Sequence, residues 1–187
     1  MSDRLHEHER LAAAIREAAL LHGDFVLRSG RRSSYYLDKY RLGTRPELLR
    51  ALGAALARIA SEHDPAAVRL AAPELGAVPL AAAAALAAEI PFVIVRKEAK
   101  EYGTANRIEG AFAPGERACL VEDIVTSGGA AIDAVRALRQ AGIVVEAAVC
   151  VVEREEGGLA ALAAEGVRLR PLFRASDIRA DDARAHG

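Results

Sequence analysis

The chain has 187 residues, enough for one compact α/β domain that buries a sizeable core without disulfide or metal staples. Its net charge is -1, with 25 Lys and Arg against 26 Asp and Glu, so no overall field draws it onto nucleic acid or an anionic membrane. Any basic site must therefore be local.

In chain order, residues 1–10 carry no apolar run of the secretory kind, and the expected compartment is the cytoplasm. Residues 4–21 place Leu5, Leu11, Ile15 and Ala19 on one side at helical spacing, which predicts an amphipathic helix broken by Gly23-Asp24. A polar stretch over 29–34 leads into a short strand over 35–38. Thr44-Arg45-Pro46-Glu47 reads as a helix start, with a capping box and proline in the first turn. Leu48, Leu52, Leu56 and Ile59 continue that helix, which stops before Pro65. Apolar strands and helices then alternate: strand 67–72, helix 78–89, strand 92–95, a polar excursion over 97–107, strand 118–121, helix 129–141 closed by Gly142, strand 144–152, helix 159–164 closed by Gly166, and strand 167–172. The longest apolar run, 77–88, is too short to span a bilayer. Cys119 and Cys150 each sit in an apolar run, without a CxxC, and read as core residues in a reducing compartment. The alternation predicts an α/β fold, a doubly wound and mainly parallel sheet flanked by helices. In such sheets ligands bind beyond the carboxyl ends of the strands, near the switch in strand order.

The most informative string is Val121-Glu122-Asp123-Ile124-Val125-Thr126-Ser127-Gly128-Gly129-Ala130. An apolar strand delivers two carboxylates, and a hydroxyl- and glycine-rich turn opens a helix. Backbone N–H groups from Thr126 to Ala130 form a cup for a phosphate, and Gly128 and Gly129 allow close approach. Glu122 and Asp123 suit the next group along, a ribose whose hydroxyls donate to them. An acidic, solvated turn accounts equally well for the two carboxylates taken alone, because acids suit a helix start. It does not account for the whole string. No Walker lysine and no GxGxxG is present. The string resembles the phosphoribosyl-diphosphate signature of the type I phosphoribosyltransferases.

Three further segments resemble the orotate phosphoribosyltransferases in particular. Arg96-Lys97-Glu98-Ala99-Lys100-Glu101-Tyr102-Gly103 is similar to that family's mobile loop, with tyrosine where histidine is common. Three cations within five residues suit a diphosphate leaving group. The chain has only three lysines, Lys39, Lys97 and Lys100, and two of them fall here, although a solvated charged loop also fits this segment alone. Phe25-Val26-Leu27-Arg28-Ser29-Gly30, followed by Tyr35 and Tyr36, is similar to the family's N-terminal hood, with arginine where lysine is common. Tyr35 and Tyr36 suit a flat ring, and Arg28 a carboxylate; one tyrosine inside and one outside on an edge strand is an equal reading of the pair. Glu153-Arg154-Glu155-Glu156-Gly157 resembles the turn whose arginine contacts the base, although a surface turn also fits. Pro73-Glu74-Leu75-Gly76 resembles, more weakly, a diphosphate-binding turn.

The resemblance implies a single domain over 1–187, with a hood over about 20–42 and a core over about 43–175. It implies an enzyme that transfers the phosphoribosyl group of phosphoribosyl diphosphate to orotate, with substrate-carried magnesium and a homodimer whose loops are shared between sites. Ribose hydroxyls would meet Glu122 and Asp123. The 5′-phosphate would meet Ile124 to Ala130. The diphosphate would meet Arg96, Lys97, Lys100 and Tyr102, and orotate would meet Arg28, Tyr35, Tyr36, Thr126 and Arg154. Lys100, Asp123 and Glu122 carry the catalysis in this reading. Two others remain open: the same fold with another base, and a catalytically weak regulator that binds phosphoribosyl diphosphate.

Overall fold

The structure, a computed structural model, describes residues 2–26, 30, 32–98 and 107–180. Helix α1 (Ser2–Ala19) runs into strand β1 (Leu20–Val26), which pairs antiparallel with β2 (Arg32–Leu37) as a separate two-stranded sheet. A short α2 (Lys39–Leu42) and a long α3 (Pro46–His63) follow. Then come β3 (Arg69–Pro73), α4 (Ala77–Ala88), β4 (Phe92–Val95), β5 (Ile108–Glu109), β6 (Arg117–Val125), α5 (Gly129–Gln140), β7 (Val144–Glu153), α6 (Gly158–Ala164), β8 (Arg168–Arg174) and α7 (Ala175–Ala180).

Six strands form the main sheet in the order β5-β4-β3-β6-β7-β8, all parallel except the edge strand β5. The chain leaves β3 toward β4 and returns on the other side at β6. The switch in strand order therefore lies between the carboxyl ends of β3 and β6. Alternation along the strands feeds two cores. Leu70, Ala72, Cys119, Val121, Ala147, Val149 and Val151 pack with α1, α3, α4 and α7. Ala71, Leu120, Ala148 and Cys150 pack with Val135 and Leu138 of α5 and Leu162 of α6. Both cysteines are buried and free, and burial pushes the Cys119 thiol up to about 12. No described helix is long and apolar enough to cross a membrane.

The amino edge of the sheet is pinned by charge. Arg117 donates from Nε to both oxygens of the buried Asp64, at 2.7 and 2.9 Å, and from Nη2 to Glu146 at 2.8 Å. The buried Arg69 donates to Glu116 and to the Ala111 carbonyl.

Several local expectations change. Helix α1 stops at Ala19, and Gly23-Asp24 lies inside β1, not in a break. The pairing register shifts between His22 and Phe25, so the glycine is absorbed by a β-bulge that leaves the hairpin intact. Leu5 is exposed, because α1 packs through Leu11, Ala12, Ile15, Ala18 and Ala19 in its second half. The cap of α3 is Arg45, without a side-chain hydrogen bond, so Thr44 forms no capping box; Pro46 at the first helical position sets the start. Strand β6 runs on to Val125, which places the two carboxylates within the sheet.

Candidate active site

The carboxyl edge gathers three turns at the switch between β3 and β6. Backbone hydrogen bonds hold two of them to the ends of neighbouring strands: Glu74 N–H donates to the Val95 carbonyl and Arg154 N–H to the Val125 carbonyl, at 2.9 and 2.8 Å. Lys97 N–H donates to Glu74 Oε1 at 2.8 Å, so the start of the loop after β4 lies on the turn after β3. The peptide between Glu74 and Leu75 is cis.

The cup expected after β6 is present. Gly128 adopts φ +84°, a left-handed conformation that glycine takes without strain, and caps α5. A cavity of 370 Å³ is lined by Glu122 and Ile124 to Ala131. Thr126, Ser127, Gly129 and Ala130 are exposed to it, at the N-terminus of a twelve-residue helix. Gly158 supports the cup from behind. A Cβ there would lie 2.4 Å from the Thr126 carbonyl oxygen and 2.5 Å from Val125 Cγ1. This close approach could not be read from sequence, where Gly158 is only part of a glycine pair.

Glu122 and Asp123 are 5% and 2% exposed. As neighbours on a strand they leave opposite faces of the sheet. Glu122 lines the cavity with the cup, and Asp123 faces the turn after β3. Burial, and then the charge of Asp123, push the Glu122 carboxyl up to about 8, against the opposing pull of Lys39. Glu122 is therefore held largely protonated near neutral pH. Asp123 Oδ1 accepts from the Ile124 N–H at 2.6 Å. Asp123 Oδ2 faces the Lys39 ammonium at 3.1 Å and has no well-aligned hydrogen bond. Gly76 closes the other side: a Cβ there would lie 1.9 Å from that oxygen.

Lys39 is a site residue that the motifs did not mark. Burial of its stem pulls its pKa down, but Asp123 more than reverses this, so the ammonium sits above the ordinary lysine value. Its only signal in the sequence is that it is the third lysine of a chain otherwise supplied with arginine.

Arg154, with only 8% of its side chain exposed, lies with its guanidinium 5.4 Å from the Tyr35 ring centre. Its Nη2 is 3.2 Å from Glu156, and its Nε is buried without a hydrogen-bond partner. Arg179 of α7 approaches the same ring, also at 5.4 Å. Helix α7 is tied to the turn through Glu155, which accepts from Ser176 N–H and Oγ. Tyr36 projects from the opposite face of β2 and packs against Phe25, with ring centres 5.6 Å apart, so the two tyrosines do not share one surface. Arg96 approaches Glu109 at 3.9 Å. Arg28, Lys100 and Tyr102 lie outside the described residues.

The chain is similar to known proteins over most of its length. The model of the phosphoribosyl transferase domain matches residues 41–164. A protein of Halobacterium salinarum named orotate phosphoribosyltransferase is 52% identical over 169 residues, which is 90% of this chain and 94% of the relative. The crystal structure of the Aeropyrum pernix orotate phosphoribosyltransferase superposes with a TM-score of 0.82 at 34% identity, covering 95% of this chain and 99% of that one. That of the Mycobacterium tuberculosis enzyme in complex with 5-phospho-α-D-ribosyl 1-diphosphate gives 0.76 at 30% identity, covering 92% and 98%.

Proposed function

The chain belongs to the orotate phosphoribosyltransferase family, and on that premise we propose that it transfers the 5-phosphoribosyl group of phosphoribosyl diphosphate to orotate, giving orotidine 5′-phosphate and diphosphate. The observation that carries this reading is the juxtaposition at the strand switch: a phosphate cup on β6 and α5, a buried carboxylate on each side of the strand above it, and a nearly buried arginine on the next turn.

The bond between anomeric carbon and diphosphate breaks as the orotate ring nitrogen bonds that carbon. Positive charge develops on the sugar and negative charge on the leaving group, so positioning and electrostatics do most of the work. The cup from Thr126 to Ala130 holds the 5′-phosphate. Glu122 and Asp123 meet the ribose hydroxyls, with Asp123 also close to the developing positive charge. Arg96, Lys97 and Lys100 neutralise the diphosphate, with Tyr102 as a neutral donor. Arg154 supplies the donor for a flat anionic base, beside Tyr35, and the free Nε matches such a role. Arg28 and Thr126 complete that subsite in this reading.

Among the described residues no three His, Cys, Asp or Glu side chains converge to hold a metal ion. Magnesium would instead arrive on the diphosphate oxygens, where it would supply further neutralisation of the leaving group. A homodimer in which the loop over 97–106 reaches the neighbouring site, and a cytoplasmic location, belong to the same proposal. The test is a product assay with phosphoribosyl diphosphate and magnesium, offering orotate, uracil, adenine and hypoxanthine side by side. Orotate should be consumed and the purines left. Turnover of a purine with none of orotate would sink the reading.

A further inference from the structure

The surroundings of Lys39 contain more than a structural ion pair needs. Its side chain is 40% exposed, while its partner Asp123 is 2% exposed. The ammonium also lies 3.5 Å from where a Gly76 Cβ would stand, so it borders the turn after β3 as well as the carboxylate. That turn in turn accepts the Lys97 N–H through Glu74, at the root of the cationic loop. Asp123 Oδ1 is already held by a backbone N–H, so the carboxylate does not depend on Lys39 for its position.

We propose that Lys39 is a diphosphate-binding cation held in reserve on Asp123. This rests on the proposed transferase activity and adds a residue to it. Without substrate, Lys39 neutralises the buried Asp123. Phosphoribosyl diphosphate offers each member of the pair a better partner, a ribose hydroxyl for the carboxylate and a diphosphate oxygen for the ammonium. The flexible lysine stem lets the cation swing a short distance while its charge stays local. One exchange thus couples recognition of sugar and leaving group. A chain that uses arginine almost everywhere else keeps lysine at this position and in the loop after β4.

The decisive experiment measures binding of inorganic diphosphate with magnesium, and separately of orotidine 5′-phosphate, by calorimetry on the intact protein, Lys39→Met and Lys39→Arg. Orotate turnover by the unsubstituted protein is recorded from the same preparation. For Lys39→Met the diphosphate Kd should rise by at least about tenfold, as for loss of one charge-assisted hydrogen bond. Nucleotide affinity should hold or improve, because Asp123 has lost its competitor. Lys39→Arg should keep most of the diphosphate affinity. Unchanged diphosphate binding in Lys39→Met, with or without weaker nucleotide binding, makes Lys39 a structural partner of Asp123 and overturns the inference. Equal loss of both ligands also overturns it. An unsubstituted protein that consumes no orotate overturns the proposed function instead, while the diphosphate measurement still decides Lys39.

Discussion

Glu122 is a buried carboxyl whose proton is worth following. Its pKa rises from the ordinary 4.5 to about 8, chiefly through burial and then through Asp123. Between those values the folded chain keeps a proton that the unfolded chain has lost, so stability from this residue falls as pH rises across the window and levels off above it. Glu122→Gln carries no such proton. Its stability relative to the natural protein should improve by up to about 1.4 kcal/mol per pH unit from pH 5 to 8, and no further above. Urea unfolding at a series of pH values reads this directly, and parallel curves for the two proteins would exclude Glu122 as the cause. Asp123 makes a different prediction, because its charge sits beside the expected oxocarbenium. Asp123→Asn keeps the shape and should lower kcat by about a hundredfold or more, with melting little changed. A near-normal rate would remove the electrostatic role.

At the scale of elements, the site depends on how closely helices approach the sheet and each other. Helices α3 and α4 meet at Gly53, where a Cβ would lie 2.6 Å from Ala83 Cβ and 2.8 Å from the Ala83 carbonyl carbon. Alanine in an isolated helix would gain up to about 1 kcal/mol over glycine. Here the gain is opposed by backbone that cannot give way, and overpacking of this kind costs about 1–3 kcal/mol. Gly53→Ala should therefore lower the urea midpoint, against its helix propensity. A raised midpoint would mean that α4 shifts freely. Such a shift would reach the site, because α4 begins at Ala77, directly after Gly76 and its contact with Asp123.

On the scale of the whole molecule the open matter is assembly. In the proposed dimer the loop over 97–106 serves the neighbouring site, and this is testable without further structure. Lys100→Ala and Asp123→Ala should each be inactive as homodimers. Mixed under subunit exchange, about half of the dimers are hybrids, each with one whole site, so about a quarter of the natural activity should return. If the loop serves its own subunit, every site keeps one defect and nothing returns.

The sequence by itself determined the order of strands and helices over the core apart from the two-residue edge strand β5, because apolar runs, turn glycines and helical spacing are local signals. It also determined the cup, since the string from Val121 to Ala130 carries strand, acids and glycines in consecutive positions. The tertiary structure decided what depends on distant segments meeting. The hairpin strand β1 hides a bulge behind Gly23-Asp24, whose local signal is a break. The tyrosines divide between two surfaces, one toward Arg154 and one toward Phe25, because a strand turns successive side chains to opposite faces. The same rule parts Glu122 from Asp123, which are adjacent in sequence yet serve different sides of the sheet. Gly76, Gly158 and Lys39 owe their importance to atoms between 30 and 84 residues away in the chain. Close approach and charge pairing act through space, and no periodicity along the chain encodes them.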